Sequence, residues 1–257
     1  MTPGRRFVNA TSRMHTRQCT PRFVQPREAT LQKLYSTSAS QIDSSFFLPP
    51  QDPSRKGQYT IVLDMDETLL HSGDHPILSG DPRMECVTLS FSDSSEDVLH
   101  SIIRPHAPQL VRELAPDAEI VLWTAGMQEY ARKAMQHIDP GAQISHSIYR
   151  DSRWFSMPNY FKDLKRLGRS MDRTLIVDNS EYVCMADIHN SIIIDDFLGS
   201  PDDDLLVQLE EILKGLITSN QPVPQYLEKC KASKHLRFWG GFYRLSAAPQ
   251  RPVTSRL

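Results

Sequence analysis

The chain has 257 residues, enough for one sizeable domain with tails, and its hydrophobic share of 39% can form a packed core. A formal net charge of -2 excludes a general role in coating nucleic acid, so we expect no direct nucleic-acid partner. The four cysteines lack the paired spacing of a zinc site or a disulfide framework, and no apolar run reaches the roughly 18 residues of a membrane span.

Residues 1–56 differ in composition from the rest of the chain. Up to Ser40 they contain six arginines and one lysine but only one acidic residue, Glu28. A segment rich in arginine and hydroxyl groups and poor in acids is typical of an organellar transit peptide. A disordered basic tail without a targeting role is the alternative. We predict location in the mitochondrion, with the nucleus or cytoplasm as the alternative.

From residue 59 onward, apolar runs alternate with helical patterns, which is typical of an α/β domain with a mainly parallel sheet. In chain order, the predicted elements are a strand at 59–63, a hairpin at 86–91 and 98–103, a helix at 108–114, a strand at 119–123, a helix at 128–138, strands at 173–177 and 191–194, and a helix from the acidic residues 202–204 to about 217. We therefore predict a domain at 57–232, preceded by the basic segment 1–56 and followed by a tail at 233–257.

Polar side chains stand at the carboxyl ends of three predicted strands, where parallel sheets bind ligands. Asp64 and Asp66 follow the first strand, Thr124 follows the second, and Asp178 and Asn179 follow the third. Two carboxylates two residues apart repel each other unless a proton or a cation lies between them. Mg²⁺ fits, because it binds one or two carboxylates and keeps several waters. Taken alone, the first pair favours a solvated acidic strand end that caps a helix over a catalytic site.

A series of motifs extends this pattern along the chain. They are Asp-x-Asp-Glu-Thr-Leu at 64–69, His-Ser at 71–72, Arg-Pro-His at 104–106, a strand ending in Thr-Ala at 121–125, Tyr-x-Lys-Asp-Leu at 160–164, Leu-Gly-Arg at 167–169 and Val-Asp-Asn-Ser at 177–180. In order and spacing they resemble the haloacid dehalogenase superfamily, in its carboxyl-terminal-domain (CTD) phosphatase-like branch. The resemblance covers residues 59 to about 216. It implies an α/β fold with a Rossmann-like parallel sheet, helices on both faces, a small β-hairpin insertion and no large cap domain.

The resemblance implies hydrolysis of a phosphate ester through a phosphorylated aspartate. Asp64 would be the nucleophile, and Asp66 would be first the general acid and then the general base. Thr68 would position Asp66 through its hydroxyl or backbone, and Thr124 would donate a hydrogen bond to the phosphoryl oxygens. Lys162 would balance the charge on those oxygens and on Asp64. Taken alone, Lys162 would be an exposed lysine and Thr124 an ordinary strand end.

The resemblance also implies a magnesium site. Its ligands would be Asp64, the backbone carbonyl of Asp66 and Asn179, with Asp178 close by. The pair Asp178 and Asn179 is the variant typical of this branch, since many members of the superfamily have two acids there.

Two residues are candidates for substrate binding. Arg150 occupies the position of a family arginine that helps to hold phosphopeptides, although a surface arginine is an equal alternative. Phe91 shares a face of the predicted hairpin with Val87 and Leu89, and that face either forms an apolar pocket for substrate or packs on the domain. The chain departs from the family pattern at 150–154, with Arg-Asp-Ser-Arg-Trp in place of Arg-Glu-x-Cys. Specificity for an RNA polymerase tail is therefore not implied.

Alternative functions stay open. We predict a magnesium-dependent protein Ser/Thr phosphatase that acts on a phosphorylated protein segment. The alternative is the presequence receptor of the mitochondrial inner-membrane translocase, in which the same domain binds targeting peptides, so an association with the import machinery is possible. That receptor needs a membrane span before its domain, and residues 41–57 contain none. A small-molecule phosphatase is disfavoured because the helical cap of such enzymes is missing.

Overall fold

The computed structural model describes residues 47–76, 81–91, 98–151, 153–155, 160–231 and 236–247. Contacts group Ser45–Leu257 into one unit, and the other unit, Met1–Ser44, lies outside the described residues. Of the predicted basic segment 1–56, only residues 47–56 are described. No helix in the described part of the chain is long and apolar enough to cross a membrane.

The described residues form strands and helices that follow the predicted order. The strands are β1 (Tyr59–Leu63), β2 (Leu70–Gly73), β3 (Cys86–Ser90), β4 (Val98–Ile103), β5 (Ala118–Trp123), β6 (His146–Ile148), β7 (Thr174–Asp178), β8 (Ser191–Ile194), β9 (Leu236–Trp239) and β10 (Phe242–Leu245). The α-helices are α1 (Ala107–Leu114), α2 (Gln128–Ile138), α3 (Glu181–Cys184), α4 (Leu205–Ser219) and α5 (Val223–Cys230). The bounds of the predicted strands and of the first two helices are confirmed to within one residue, and the third helix begins just after its predicted acidic start.

The main sheet confirms the predicted α/β class. Its seven strands lie in the order β6-β5-β1-β7-β8-β10-β9, and only the last pair, β10 and β9, is antiparallel. The parallel strands are covered on both faces, which explains their uninterrupted apolar sequences. This order puts the carboxyl ends of β5, β1 and β7 side by side.

The two faces of the sheet are packed differently. On one face, alternate strand residues such as Ile61 and Leu63 pack against α1, α2, α4 and α5. On the other face, Val62 and Ile176 pack against Leu164, Leu167 and a group of aromatic side chains, and α3 contributes its last residue there. The longer helices therefore lie on one face, while short helical turns and aromatic rings close the other.

The insertion after β1 is a three-stranded antiparallel sheet, in the order β2-β4-β3. The predicted hairpin is confirmed, because β3 and β4 pair along their lengths, while its predicted turn at 92–97 lies outside the described residues. The third strand, β2, was not predicted, because its residues Leu-His-Ser-Gly form no apolar run and are too few to show an alternation. The insertion is therefore larger than the predicted hairpin by one strand.

The predicted domain boundaries need correction at both ends. Two strands, β9 and β10, lie in the predicted tail at 233–257, and β10 pairs with β8 in the main sheet. Gly240 and Gly241 join them with φ angles of 62° and 86°, the positive values that a two-residue hairpin turn requires. Before residue 57, the Phe47 ring packs edge-on against Trp123 at a centroid distance of 5.5 Å. The folded unit therefore extends beyond 57–232 in both directions.

Candidate active site

The site lies where the carboxyl ends of β1, β5 and β7 meet. The backbone N–H of Asp64 donates to the carbonyl of Val177 at 3.0 Å, so Asp64 still belongs to the sheet although β1 has ended. Thr124 is held in the same way by the carbonyl of Ile148 at 3.0 Å, and Asp178 is the last residue of β7. The sheet thus fixes the backbone from which these three side chains project.

Lys162 joins two of the predicted acids. Its Nζ donates to Asp64 Oδ1 and to Asp178 Oδ2, each at 2.6 Å, and the side chain is only 2% exposed. Burial alone would lower the pKa of Lys162, but the carboxylates of Asp178 and Asp64 raise it above its ordinary value. Lys162 is therefore a buried cation between two carboxylates, and not the exposed lysine that its sequence taken alone would suggest.

Asp66, two residues after Asp64, makes different contacts. Its Oδ1 accepts a hydrogen bond from the Tyr130 hydroxyl at 2.5 Å, and its Oδ2 accepts one from Thr124 Oγ1 at 3.3 Å. Burial, followed by the nearby charge of Asp64, raises the pKa of Asp66 to about 6. A carboxyl group with a pKa near 6 can both hold and release a proton close to neutral pH, as a general acid and base must.

Thr68 differs from the expectation. Its Oγ1 is buried and has no hydrogen-bond partner among the described residues. Its carbonyl accepts a hydrogen bond from Arg104 Nη1 at 3.0 Å. Among the described residues no hydrogen bond joins the Thr68 hydroxyl to Asp66, so of the two predicted routes only the one through the backbone stays a prediction.

The oxygen atoms around Asp64 and Asp178 suit Mg²⁺, although the described residues form no dense cluster of ligands. In the described ranges no three Asp, Glu, His or Cys side chains are grouped as a metal-binding cluster. The carboxylates of Asp64 and Asp178 nevertheless share a single cation, Lys162. The side-chain amide nitrogen of Asn179 donates to Asp196 Oδ1 at 3.0 Å, which leaves the side-chain oxygen of Asn179 available as a ligand. Few protein oxygens and excess negative charge suit Mg²⁺, which keeps several waters and needs only one or two carboxylates.

The two candidate substrate residues have different surroundings. Arg150 is exposed, and its Nε donates to the carbonyl of Ala125 at 2.6 Å, next to Thr124. Its guanidinium also stacks on the Phe155 ring, 4.5 Å from the centroid. Phe91 is half-buried against the main core, with Lys133 Nζ of α2 at 5.4 Å from its ring centroid. Arg150 is thus attached to the loop that carries Thr124, whereas Phe91 packs against α2.

Sequence reasoning assigned no site role to two residues that the structure brings here. Tyr130, in the first turn of α2, contacts Asp66 directly. Asp196 follows β8 at the same edge of the sheet and contacts Asn179. The rule that found Asp64 and Asp178 could have found Asp196, because an Asp-Asp pair follows the fourth strand. Tyr130 had only a weak signal, a hydroxyl within an otherwise helical pattern.

Comparison with known proteins agrees with these motifs. The model of NLI interacting factor-like phosphatases matches residues 59–223. A probable C-terminal domain small phosphatase of Dictyostelium discoideum is 35% identical over 168 residues, which are 65% of this chain and 54% of that protein. Carboxy-terminal domain RNA polymerase II polypeptide A small phosphatase 2 of Homo sapiens is 30% identical over 176 residues, 68% of this chain and 64% of that protein.

In both relatives the match covers less than two thirds of the relative's own length. A solved structure of Fcp1, an essential RNA polymerase II CTD phosphatase, matches 70% of this chain and 55% of that one at 19% identity, with a TM-score of 0.46. The family model, in contrast, covers more than half of this chain and includes Asp64, Lys162 and Asp178. The chain therefore belongs to the NLI interacting factor-like phosphatases, in the CTD phosphatase-like branch of the haloacid dehalogenase superfamily.

Proposed function

We propose that the chain is a magnesium-dependent protein phosphatase that removes phosphate from serine or threonine through a phosphorylated Asp64. The observation that carries the proposal is the placement of Lys162 Nζ at 2.6 Å from both Asp64 and Asp178, with Asp66 beside them at the edge of the sheet. A cation, a nucleophile and a carboxyl group with a raised pKa are the groups that phosphoryl transfer through an aspartate needs.

The first step transfers the phosphoryl group to the protein. An oxygen of Asp64 attacks phosphorus, and the bond between phosphorus and the substrate's side-chain oxygen breaks. Asp66 gives its proton to that departing oxygen, which leaves as the free hydroxyl of serine or threonine. Lys162 stays protonated and reduces the negative charge that gathers around Asp64.

The second step releases phosphate. Asp66, now ionised, takes a proton from a water molecule whose oxygen attacks phosphorus, and the bond between phosphorus and Asp64 breaks. Inorganic phosphate leaves, and Asp64 and Asp66 return to their starting states. The Thr124 hydroxyl, which donates to Asp66 at 3.3 Å, is close enough to this carboxyl group to donate to a phosphoryl oxygen instead.

Asp64, Asp178, Asn179 and the carbonyl of Asp66 would hold Mg²⁺. When bound, the cation supplies positive charge that draws the phosphoryl oxygens towards Asp64. The protein itself holds the carboxylates of Asp64 and Asp178 close together, and Lys162 balances only part of their negative charge.

The proposed substrate is a phosphorylated segment of a protein. The relatives in this family carry the name of small phosphatases of a C-terminal domain, which is a protein segment. The described insertion between β1 and α1 is a small sheet. Exposed Arg150, which follows β6, is hydrogen-bonded to the loop that carries Thr124, where it can contact a phosphopeptide. No observation among the described residues favours the import-receptor alternative over catalysis.

The nucleophile is tested by Asp64→Asn. An amide keeps the size of the side chain but cannot attack phosphorus as an anion, so turnover of para-nitrophenyl phosphate should fall to background. Lys162 keeps Asp178 as a partner, so the melting temperature should stay close to that of the wild type. Asp172→Asn, which changes an exposed aspartate before the start of β7, at the opposite end of that strand from Asp178, should leave turnover unchanged. A rate above a tenth of the wild-type value in Asp64→Asn would refute the mechanism.

The metal is tested by removing it. Activity should disappear with EDTA and return with Mg²⁺, because Asp64 and Asp178 carry more negative charge than Lys162 can balance. Mg²⁺ at a hundred times its Kd should also stabilise the folded protein by about 2.7 kcal/mol. Full activity in a metal-stripped sample, or a melting temperature that ignores Mg²⁺, would exclude the proposed site.

A further inference from the structure

A chain of hydroxyl groups leads away from Asp66. The Tyr130 hydroxyl lies 2.5 Å from Asp66 Oδ1, Ser72 Oγ lies 2.8 Å from the Tyr130 hydroxyl, and Ser101 Oγ lies 2.7 Å from Ser72 Oγ. These hydroxyl groups come from α2, β2 and β4, so the hydroxyl chain connects Asp66 to the inserted sheet. None of the three hydroxyl residues has a part in the two steps described above.

The direction of these hydrogen bonds follows from counting hydrogens. Each hydroxyl has one hydrogen to donate, and an ionised carboxylate can only accept. Tyr130 must therefore donate to Asp66, which leaves Ser72 as the donor to Tyr130 and Ser101 as the donor to Ser72. Hydrogen bonds that all point the same way polarise and strengthen one another. The hydroxyl chain begins at Ser101, which is fully buried, and ends on Asp66 Oδ1.

The Tyr130 ring is also held from the side. A Cβ atom placed on Gly126 would lie 3.0 Å from Tyr130 Cδ1 and 3.1 Å from Thr124 Oγ1, closer than side chains normally pack. The N–H of Gly126 in turn donates to Thr124 Oγ1 at 2.8 Å. Tyr130 and Thr124, the two groups that contact Asp66, are therefore packed against the same glycine.

We propose that Tyr130 is a positioning residue for Asp66, and that Ser72 sets the direction of the Tyr130 hydroxyl. Oδ1 accepts the short hydrogen bond from Tyr130 at 2.5 Å, whereas Oδ2 accepts only the longer one from Thr124 at 3.3 Å, so the proton of the neutral acid resides on Oδ2. A proton on Oδ1 would instead reverse all three hydrogen bonds and leave the buried Ser101 hydroxyl to find a new acceptor. The hydroxyl chain thus decides which oxygen of Asp66 gives its proton to the departing group. This role rests on the proposed function, in which Asp66 is the general acid.

The consequence is measurable because substrates differ in their need for a proton. An alkoxide or phenolate is a poor leaving group without one, whereas para-nitrophenolate is stable enough to depart unaided. The value of kcat/KM reports the steps up to departure of the leaving group, and it excludes the later hydrolysis of phosphorylated Asp64. Loss of the Tyr130 hydroxyl should therefore act on kcat/KM in proportion to how basic the leaving group is.

The experiment compares Tyr130→Phe with the wild type on phenyl phosphate, a phosphoserine peptide and para-nitrophenyl phosphate, in saturating Mg²⁺. General acids contribute factors of about 10² to 10⁴, so a misplaced acid should lower kcat/KM roughly 30-fold for the first two substrates and less than about threefold for the third. Ser72→Ala should show a smaller split in the same direction, and Ser72→Thr, which keeps the hydroxyl, should restore the wild-type ratio.

Tyr243→Phe is the matched control, since its hydroxyl also donates to a carboxylate, Glu228 Oε2 at 3.1 Å, but at the C-terminal hairpin. It should leave the ratio of the three kcat/KM values unchanged. Suppose that the wild type is active, but Tyr130→Phe and Ser72→Ala lower all three kcat/KM values equally or lower none of them. This result would overturn the positioning role and leave the proposed function intact. A wild-type protein without activity on any of the three esters would overturn the proposed function and this role together.

Discussion

Lys162 is the residue on which both stability and chemistry depend. It is buried between Asp64 and Asp178, and removing a buried charge leaves its partners without compensation. Lys162→Met keeps most of the side-chain volume but removes the cation. We expect turnover to fall by about 10² or more, because a group that stabilises the developing charge is lost. Stability without metal should fall by about 3 kcal/mol, or roughly 10 °C in melting temperature.

Mg²⁺ provides the check on this interpretation. A divalent cation at the same carboxylates replaces part of the lost charge, so it should raise the melting temperature of Lys162→Met more than that of the wild type. Lys165→Met, three residues later and 59% exposed, should change neither turnover nor the effect of Mg²⁺. An unchanged melting temperature in Lys162→Met would show that the two carboxylates do not depend on this lysine.

Arg104 gives the Arg-Pro-His motif a structural meaning. Its guanidinium is fully buried and binds both oxygens of Asp203, with Nε to Oδ1 at 2.8 Å and Nη2 to Oδ2 at 2.9 Å. It also donates to the carbonyls of Thr68 and Asp195. Bidentate pairing and two further acceptors offset the cost of burying the charge. Arg104 thereby links the loop after β1, the loop after β8 and the start of α4.

At the scale of elements, the inserted sheet carries the face that was predicted either to bind substrate or to pack on the domain. In β3, Leu89 is 3% exposed and packs in the main core, which favours the packed alternative for that part of the face. Phe91, just beyond β3, stays half-buried beside Lys133 and retains surface that a peptide can contact. On this face, Leu89 is therefore a core residue and Phe91 is a candidate for binding substrate.

Phe91→Ala separates these alternatives. A side chain that touches only remote parts of a phosphopeptide should not affect a small aryl phosphate. We expect kcat/KM for a phosphopeptide to fall about tenfold, roughly 1.4 kcal/mol, with para-nitrophenyl phosphate almost unaffected. Leu89→Ala serves as the contrast, since it should lower the melting temperature instead. Equal losses on both substrates for Phe91→Ala, or a large loss of stability, would place Phe91 in the core and specificity elsewhere.

The C-terminal hairpin completes the main sheet. Without β10, the backbone of β8 would be left as an open edge, and such edges pair readily with other chains. The strand that takes the edge position, β9, is short and carries Arg237 beside exposed aromatic residues. Residues 236–245 therefore belong to the folded unit and should be kept in any shortened version of the protein.

At the scale of the whole molecule, the basic N-terminal segment bears on the protein's location in the cell. We propose that residues 1–35, which lie outside the described residues, direct the protein to mitochondria. Their arginines and hydroxyl residues, with a single acid, suit an import signal. A fluorescent protein fused behind these residues should colocalise with a mitochondrial marker, and replacing the arginines by glutamine should abolish that pattern. A diffuse or nuclear signal from the unmodified fusion would contradict the proposal.

Local sequence was sufficient for the principal strands and for the polar groups at their ends. The strand at Tyr59–Leu63 and the one at Ser191–Ile194 are buried at every position, so their apolar runs mark them without any knowledge of their neighbours. The helix at Gln128–Ile138 was predicted with its exact bounds, because a Pro-Gly pair soon follows it. The short strands β2 and β6 were missed because Leu-His-Ser-Gly and His-Ser-Ile form no apolar run and are too short to show a periodicity.

By itself, the sequence determined which chemical groups follow each strand, because a motif is a local property of the chain. Only the tertiary structure decided which of those groups meet. Lys162 is 98 positions from Asp64, and Tyr130 is 64 positions from Asp66, yet each pair is joined by a hydrogen bond. The sheet order brings distant loops to one edge, and packing then sets side-chain atoms to within the few tenths of an ångström that a hydrogen bond requires. Neither the order of strands nor that packing can be read from neighbouring residues, since both arise from contacts between parts of the chain that are far apart in sequence.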